Sequence, residues 1–225
     1  MSGFGGVCLT FDDVSVDDWL AADALFARYG ARATFFVSHF HTLPRVAVEA
    51  LRHLERRGHE IGCHSVNHLN AEHFLRERTP DEYLAVEVMP ALKRMDDAGL
   101  HPTAWCYPFN ANHADLDERL LALFKVLRMR ADAAEDGLHP TVGNQRLRGR
   151  SIDLHVQGQL LARTLRDIED ELSMAQDRCQ TLVCYGHRIS NHPVAHHHIT
   201  AWGLECVLDA AVRLGLPFYT ASEMA

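Results

Sequence analysis

No stretch of the 225 residues reads as a linker, since no Pro/Ser/Gly-rich segment divides the chain and no repeat period is visible. A single domain over residues 1–225 is therefore expected, and 47% hydrophobic content suffices to fill one large α/β core. Apolar runs stop well short of the roughly 20 residues a helix needs to cross a bilayer, so no membrane partner is expected. Long basic runs are also missing. With a formal charge of −8 and only a small arginine cluster at "RLRGR", a surface that tracks phosphates is not expected, and nucleic acid is set aside as a partner. The opening "MSGFGGVCL" has neither a basic n-region nor an apolar h-region of roughly 7 to 15 residues. The six cysteines, Cys8, Cys63, Cys106, Cys179, Cys184 and Cys206, show no C-x-x-C spacing, and four of them sit in apolar strand-like runs. Read as reduced core thiols, and with no leader in view, they make the cytoplasm the expected location.

What is present is an alternation of short β-rich runs with longer amphipathic segments, about seven times over, as stacked β-α units require. The strand candidates are "VCLTF", "RATFFVS", "EIGCH", "TAWCYPF", "VLRMRA", "SIDLHV", "TLVCYGH" and a closing "PFYTA". Helices are expected from Asp17 to before Gly30, from Pro44 to Gly58 and from Thr79 to Gly99, with others over 114–125, 158–176 and 199–214. Thr79, Pro80 and Glu82 spell an N-cap, a first-turn proline and a capping-box acid, and Pro90 should kink or split the helix that follows.

A parallel β/α architecture gathers its functional side chains at the carboxyl ends of its strands. Asp12 and Asp13 stand at the first such exit, His39 and His41 at the second, His64 and His68 at the third, Asn110 after the fourth and His187 after a late one. The spacing of His64 and His68 in "CHSVNH" puts two imidazoles on one side of a helical turn, where they can share a metal; a solvated polar face is the plainer alternative. Asp17 and Asp18 suit a helix N-terminus. Asp12 and Asp13 abut the strand instead, where a divalent cation would balance two adjacent carboxylates, one ligating and the other doing chemistry.

These residues resemble the polysaccharide deacetylase family, the NodB homology domain of carbohydrate esterase family 4. The likeness runs over nearly the whole chain: Thr10-Phe11-Asp12-Asp13, "ATFFV", His64-Ser65-Val66-Asn67-His68, Cys106-Tyr107-Pro108-Phe109 and the His187 of "LVCYGH". The resemblance implies a distorted (β/α) barrel of about seven parallel strands holding one divalent metal at Asp13, His64 and His68. Zn is the first choice, with Co, Mn, Ni or Fe permitted by the same ligands. It further implies Asp12 as general base on the activated water, His187 as general acid to the leaving amine, and the backbone N–H of Phe109 as an oxyanion donor. Tyr107, Asn110 and His39 join Phe109 as candidate substrate contacts. The activity implied is removal of an N-acyl group, N-acetyl first, from an amino sugar, polysaccharide or related small molecule, with the oligomeric state left open.

The chain departs from the pattern at the third motif, where Cys106 stands in place of the arginine that pairs with the base aspartate. Arg188 and Arg150 are the candidates to supply that charge from other loops. The fourth motif, an acid with a tryptophan, is not recognisable, and Asp153 is the candidate for part of its work. The missing arginine also motivates a second reading, an inert domain that binds metal and carbohydrate without turnover. A third, a two-His-one-carboxylate non-haem iron oxygenase, fits the ligand set but belongs to antiparallel scaffolds. The run "HPVAHHHITAW" holds His192, His196, His197 and His198, of which the consecutive His196 to His198 cannot all face one ion from a helix; a surface or helix-start role is expected for most of the four. Trp19, Phe26, Tyr83 and Phe124 fall at helical spacings and are read as core packing.

Overall fold

The computed structural model describes residues 5–132, 135–157, 159–192 and 196–225. Five strands come first: β1 (Gly6–Asp13), β2 (Ala33–Val37), β3 (Glu60–Cys63), β4 (Ala104–Cys106) and β5 (Val126–Arg130). They are followed by β6 (Leu138–His139), β7 (Arg146–Ser151), β8 (His155–Val156), β9 (Gln159–Leu160), β10 (Thr181–Gly186), β11 (Arg188–Ile189) and β12 (His198–Ile199). Parallel pairing runs β1-β2-β3-β4-β5-β7-β10 and returns from β10 to β1, which closes a barrel of seven parallel strands. This is the architecture expected from the sequence. Strand β6 adds antiparallel to β10, and β8, β9, β11 and β12 form a small second sheet.

The two-residue period of each strand divides the core into two layers. Cys8 of β1 points into the barrel and clusters with Phe36, Ala104, Cys106, Val126, Leu147 and Val183, whereas Val7, Leu9 and Phe11 pack outward under the helices. Thr10 and Asp12 continue the inward row, so a carboxylate is the last inward residue before the strand ends. In the outer layer Phe35 stacks on Trp19 at 5.0 Å between ring centroids and meets Phe11 and Phe26 at tilted or edge-on angles.

Two strand expectations shift. The sixth barrel strand is Arg146–Ser151, not "SIDLHV". Its outward arginines are neutralised in place, Arg146 by Asp117 and Glu118, Arg148 by Glu135 and Arg150 by Glu171, so a charged run is a barrel strand. The closing "PFYTA" makes a single bridge, Phe218 to Val7, before the turn Ala221–Met224 places Ala221 and Met224 in the inner core cluster.

Among the helices, the first is divided at Ala22 into Val16–Ala21 and Asp23–Arg28. Of the stretch expected over 158–176, residue 158 lies outside the described residues, Gln159–Leu160 forms β9, and the helix runs only over Leu165–Arg178, behind a Thr164/Asp167 capping box. The capping box at Thr79 and Glu82 is present. Pro90 has no N–H to return to the preceding turn, and the helix widens to a π turn over Leu84–Val88 before resuming at Met89–Asp97. Four cysteines, Cys8, Cys63, Cys106 and Cys184, are buried free thiols. Among the described residues no helix is long and apolar enough to cross a membrane.

Because Phe35 joins β2 to three aromatic neighbours, Phe35→Ala is expected to lower unfolding stability in urea by about 3–5 kcal/mol. A loss below about 1 kcal/mol would show that this cluster does not anchor the outer layer.

Candidate active site

Adjacent strand residues point to opposite faces, yet Asp12 and Asp13 line the same cleft at the carboxyl end of the barrel. The backbone at Asp13 accounts for this, since a φ of 83° breaks the alternation and turns the second carboxylate back over the mouth. Ser65, His68, Phe109 and Asn110 also hold left-handed φ values at strand exits, a conformation of order 1 kcal/mol or more above the allowed regions for each L-residue.

Asp13 Oδ1, His64 Nε2 and His68 Nε2 converge. The oxygen lies 3.7 Å from the first nitrogen and 3.4 Å from the second, and the nitrogens are 3.1 Å apart. Ligand atoms about 2.0–2.1 Å from a tetrahedral ion sit roughly 3.3 Å from each other, so the three fit one face of a coordination shell. His64 Nδ1 is 2.9 Å from the Cys106 carbonyl, to which the ring N–H donates, leaving a lone pair on Nε2. Burial lowers the pKa of His64 to about 4, and burial also lowers that of His68, so both rings are neutral donors near neutral pH. A second set, Asp12, His64 and Cys106, is also close enough to share an ion. It suits one poorly, because the Arg128 guanidinium already donates to the Cys106 sulfur and burial raises that thiol's pKa well above its usual value.

The loop carrying the two histidines is held from an unexpected quarter. Glu87, fully buried in the π turn, accepts from Asn67 N at 3.0 Å, from Asn67 Nδ2 at 2.8 Å and from Leu69 N at 3.4 Å, while its carbonyl takes Val66 N. Ser65 Oγ accepts from His68 N. Glu87 is therefore a positioning residue for both imidazoles. No motif in the sequence marked it.

Asp12 has its charge partner, and it is neither of the expected arginines. Arg128 of β5, fully buried, donates through Nη2 to Asp12 Oδ2 and through Nη1 to Asn110 Oδ1 at 2.7 Å. Arg188 pairs instead with Asp18 at 2.6 Å, and Arg150 with Glu171 at 3.2 Å. Burial pushes the Asp12 carboxyl up, but the charges of Arg128, His64 and His187 outweigh it, and the pKa ends below the usual carboxylate value. Its other oxygen, Oδ1, is buried without a hydrogen-bond partner. The sequence signal for Arg128 was an arginine on the inward row of an apolar strand, a charge that needs a buried partner.

Asp153, the candidate for part of the fourth motif's work, serves His187: one oxygen accepts from His187 N at 3.1 Å and the other lies 2.7 Å from Nδ1. Trp19, expected only as packing, also donates its indole N–H to the His187 carbonyl. Burial lowers the His187 pKa, but the Asp153 hydrogen bond and charge, with Asp12 and Asp13 behind them, raise it to about 9. At neutral pH that ring carries its proton.

The remaining candidates divide. Phe109 is 62% exposed, with its ring 4.6 Å from that of His68. Tyr107 lines the cleft, but its hydroxyl is given to Asp117, and Asn110 spends its carbonyl on Arg128. His39 stands outside the cleft lining, its ring 6.2 Å from that of His68. Of the late histidines, His192, His196 and His197 are exposed, as expected for most of the four, with His196 and His197 also lining the cleft, whereas His198 is buried and stacked on His155. Among the described residues they form no three-ligand group.

The family model described as "Polysaccharide deacetylase" matches residues 3–127. No curated protein matches the chain. Solved structures of similar fold include the chitin deacetylase of the fungal pathogen Colletotrichum lindemuthianum, at 15% identity and TM-score 0.65 over 99% of this chain and 88% of that one. A family 4 acetyl xylan esterase from Clostridium thermocellum, solved with a cobalt ion, shares 20% identity at TM-score 0.62 over 97% and 89%. The peptidoglycan deacetylase PdaC from Bacillus subtilis shares 14% at TM-score 0.62 over 100% and 91%.

Replacing Arg128 with methionine removes the largest influence that holds the Asp12 pKa down and leaves burial in force. In Arg128→Met, carboxyl-carbon NMR is expected to show Asp12 titrating above its value in the wild type, with stability falling by about 3–5 kcal/mol at neutral pH from the unpaired buried charge. An unmoved Asp12 titration would rule out Arg128 as its charge partner.

Proposed function

Because the chain belongs to the polysaccharide deacetylase family, we propose that it is a metal-dependent hydrolase that removes an N-acyl group, N-acetyl first, from an amino sugar or polysaccharide. The observation that carries this reading is the convergence of three neutral or anionic donor atoms, an ionised buried carboxylate with a free oxygen and a protonated histidine on one cleft of about 500 Å³. A divalent ion at Asp13, His64 and His68, zinc for preference, supplies a Lewis acid that acidifies a water and polarises the acyl carbonyl.

The protein's own groups do the rest. Asp12 Oδ1 takes the proton from the attacking water, while Arg128 keeps the carboxylate ionised and fixed in direction. The backbone N–H of Phe109, in a left-handed turn on the cleft lining, would donate to the oxygen on which charge develops. His187, its Nδ1 engaged by Asp153, presents Nε2 to the leaving nitrogen and gives up its proton as the C–N bond breaks. Products are the free amine and a carboxylate. Arg128 removes the motive for an inert reading, since the charge missing from the third motif is present from the neighbouring strand. A parallel barrel also sets aside the iron oxygenase.

Acetate release from a panel of N-acetyl and O-acetyl sugars tests the reading. Turnover is expected to vanish with chelator and return with Zn or Co, and Asp12→Asn should retain the ion while losing about a hundredfold or more in rate. Turnover indifferent to both treatments would contradict it.

The pH profile makes a separate prediction. His187 is raised, so its acid form persists below its folded-state pKa and is lost as pH rises through it; the alkaline limb of the rate is expected near pH 9. Asp153→Asn should move that limb toward the ordinary histidine value of about 6.5. A limb that stays in place would remove His187 from the role of acid.

A further inference from the structure

The polar groups of the cleft are mostly spoken for. Asp12 is bound by Arg128, His187 by Asp153, and the Asp13, His64 and His68 donors face a common point. Among the side chains that remain is a pair of hydrogen-bond donors. Arg130, at the carboxyl end of β5, is exposed and lines this cleft, and among the described residues no carboxylate lies within ion-pair distance of it. The residues outside that description carry no acidic side chain. Neighbouring arginines are neutralised, Arg128 by Asp12, Arg148 by Glu135, Arg150 by Glu171 and Arg188 by Asp18.

The second donor is Tyr185 on β10, which lines the same cleft and whose hydroxyl makes no hydrogen bond to a described residue. Burial raises its pKa even though Arg128 and Arg130 pull it down, so the phenol keeps its proton, and it lines the same cleft as Arg130. Its ring is braced in place, with the Arg128 guanidinium carbon 5.0 Å from the ring centroid. On the intervening β7, Gly149 leaves the ring its room, since a Cβ there would lie 3.3 Å from Tyr185 Cδ1. A guanidinium without a counter-ion beside a free phenol is the donor set of an anion site. On a protein of net charge −8, an anionic ligand needs such a local cation to offset repulsion at longer range.

We propose that Arg130 and the Tyr185 hydroxyl form a subsite for an anionic group on the substrate, a carboxylate or a phosphate, so that acidic N-acyl sugars are selected over neutral ones. This rests on the deacetylase reading for its substrate, but its test is a binding measurement that needs no turnover.

Calorimetric titration of the metal-loaded Asp12→Asn protein would compare neutral N-acetylglucosamine, its 6-phosphate, and N-acetylmuramic acid with its carboxylate. At least one acidic ligand is expected to bind about tenfold or more tighter than the neutral one, and which of them does so separates phosphate from carboxylate. Adding Arg130→Gln should erase most of that ratio, Tyr185→Phe should reduce it several-fold, and Arg130→Lys should restore part of it. Equal binding of all three, binding of neither acidic ligand, or a preference that survives Arg130→Gln overturns the proposal. The deacetylase reading fails on a different result, the absence of acyl release from every sugar in the wild-type panel.

Discussion

An arginine and an aspartate buried side by side at the top of the barrel set the terms for the rest of the site. Asp12 is the last inward residue of β1, and a carboxylate there is tolerable in ionised form only with a partner of opposite charge. Arg128 supplies it across the barrel, fully buried itself, with its other amino group held by Asn110 and its face against Phe36 and Tyr185. Cys106, small and on the neighbouring strand β4, leaves room for that guanidinium. The interaction therefore holds one oxygen of Asp12 and leaves the other buried without a hydrogen-bond partner, in a side chain that lines the cleft.

Around this pair the site is built from bent backbone more than from special side chains. Asp13, Ser65, His68, Phe109 and Asn110 all adopt left-handed conformations without being glycine, and each lies just where a strand gives way to a loop. Strain of that kind persists only when the surroundings impose it. Here Glu87 imposes it on the histidine loop through three hydrogen bonds, and it occupies a π turn that Pro90 helps to create one turn further on. A helix defect remote from the motifs thus fixes the spacing of two imidazoles.

The contrast between legible and hidden parts follows from how each is encoded. Asp12 with Asp13, and His64 with His68, are neighbours in sequence and in space, so a short pattern after an apolar run announces them. The succession of about seven β-α units was legible because each unit carries its own periodicity, whereas closure into a barrel was implied only by the family resemblance. Arg128 was hidden because its partner is 116 positions away and "VLRMRA" reads as an ordinary strand edge. Arg146–Ser151 was hidden because acids on other elements, Asp117, Glu118, Glu135 and Glu171, neutralise its arginines only in the folded state, and hydropathy sees the arginines alone. Asp153 was noticed as an acid near a strand, but its bond to His187 depends on how two distant strand exits are brought together.

The proposed reaction depends on one cation held among Asp13 Oδ1, His64 Nε2 and His68 Nε2. Anomalous diffraction at the zinc edge, from crystals grown with equimolar zinc, tests it most directly. The account predicts a single strong peak about 2.0–2.2 Å from each of those three atoms. A peak at the Cys106 sulfur instead, or none at the barrel mouth, would contradict it.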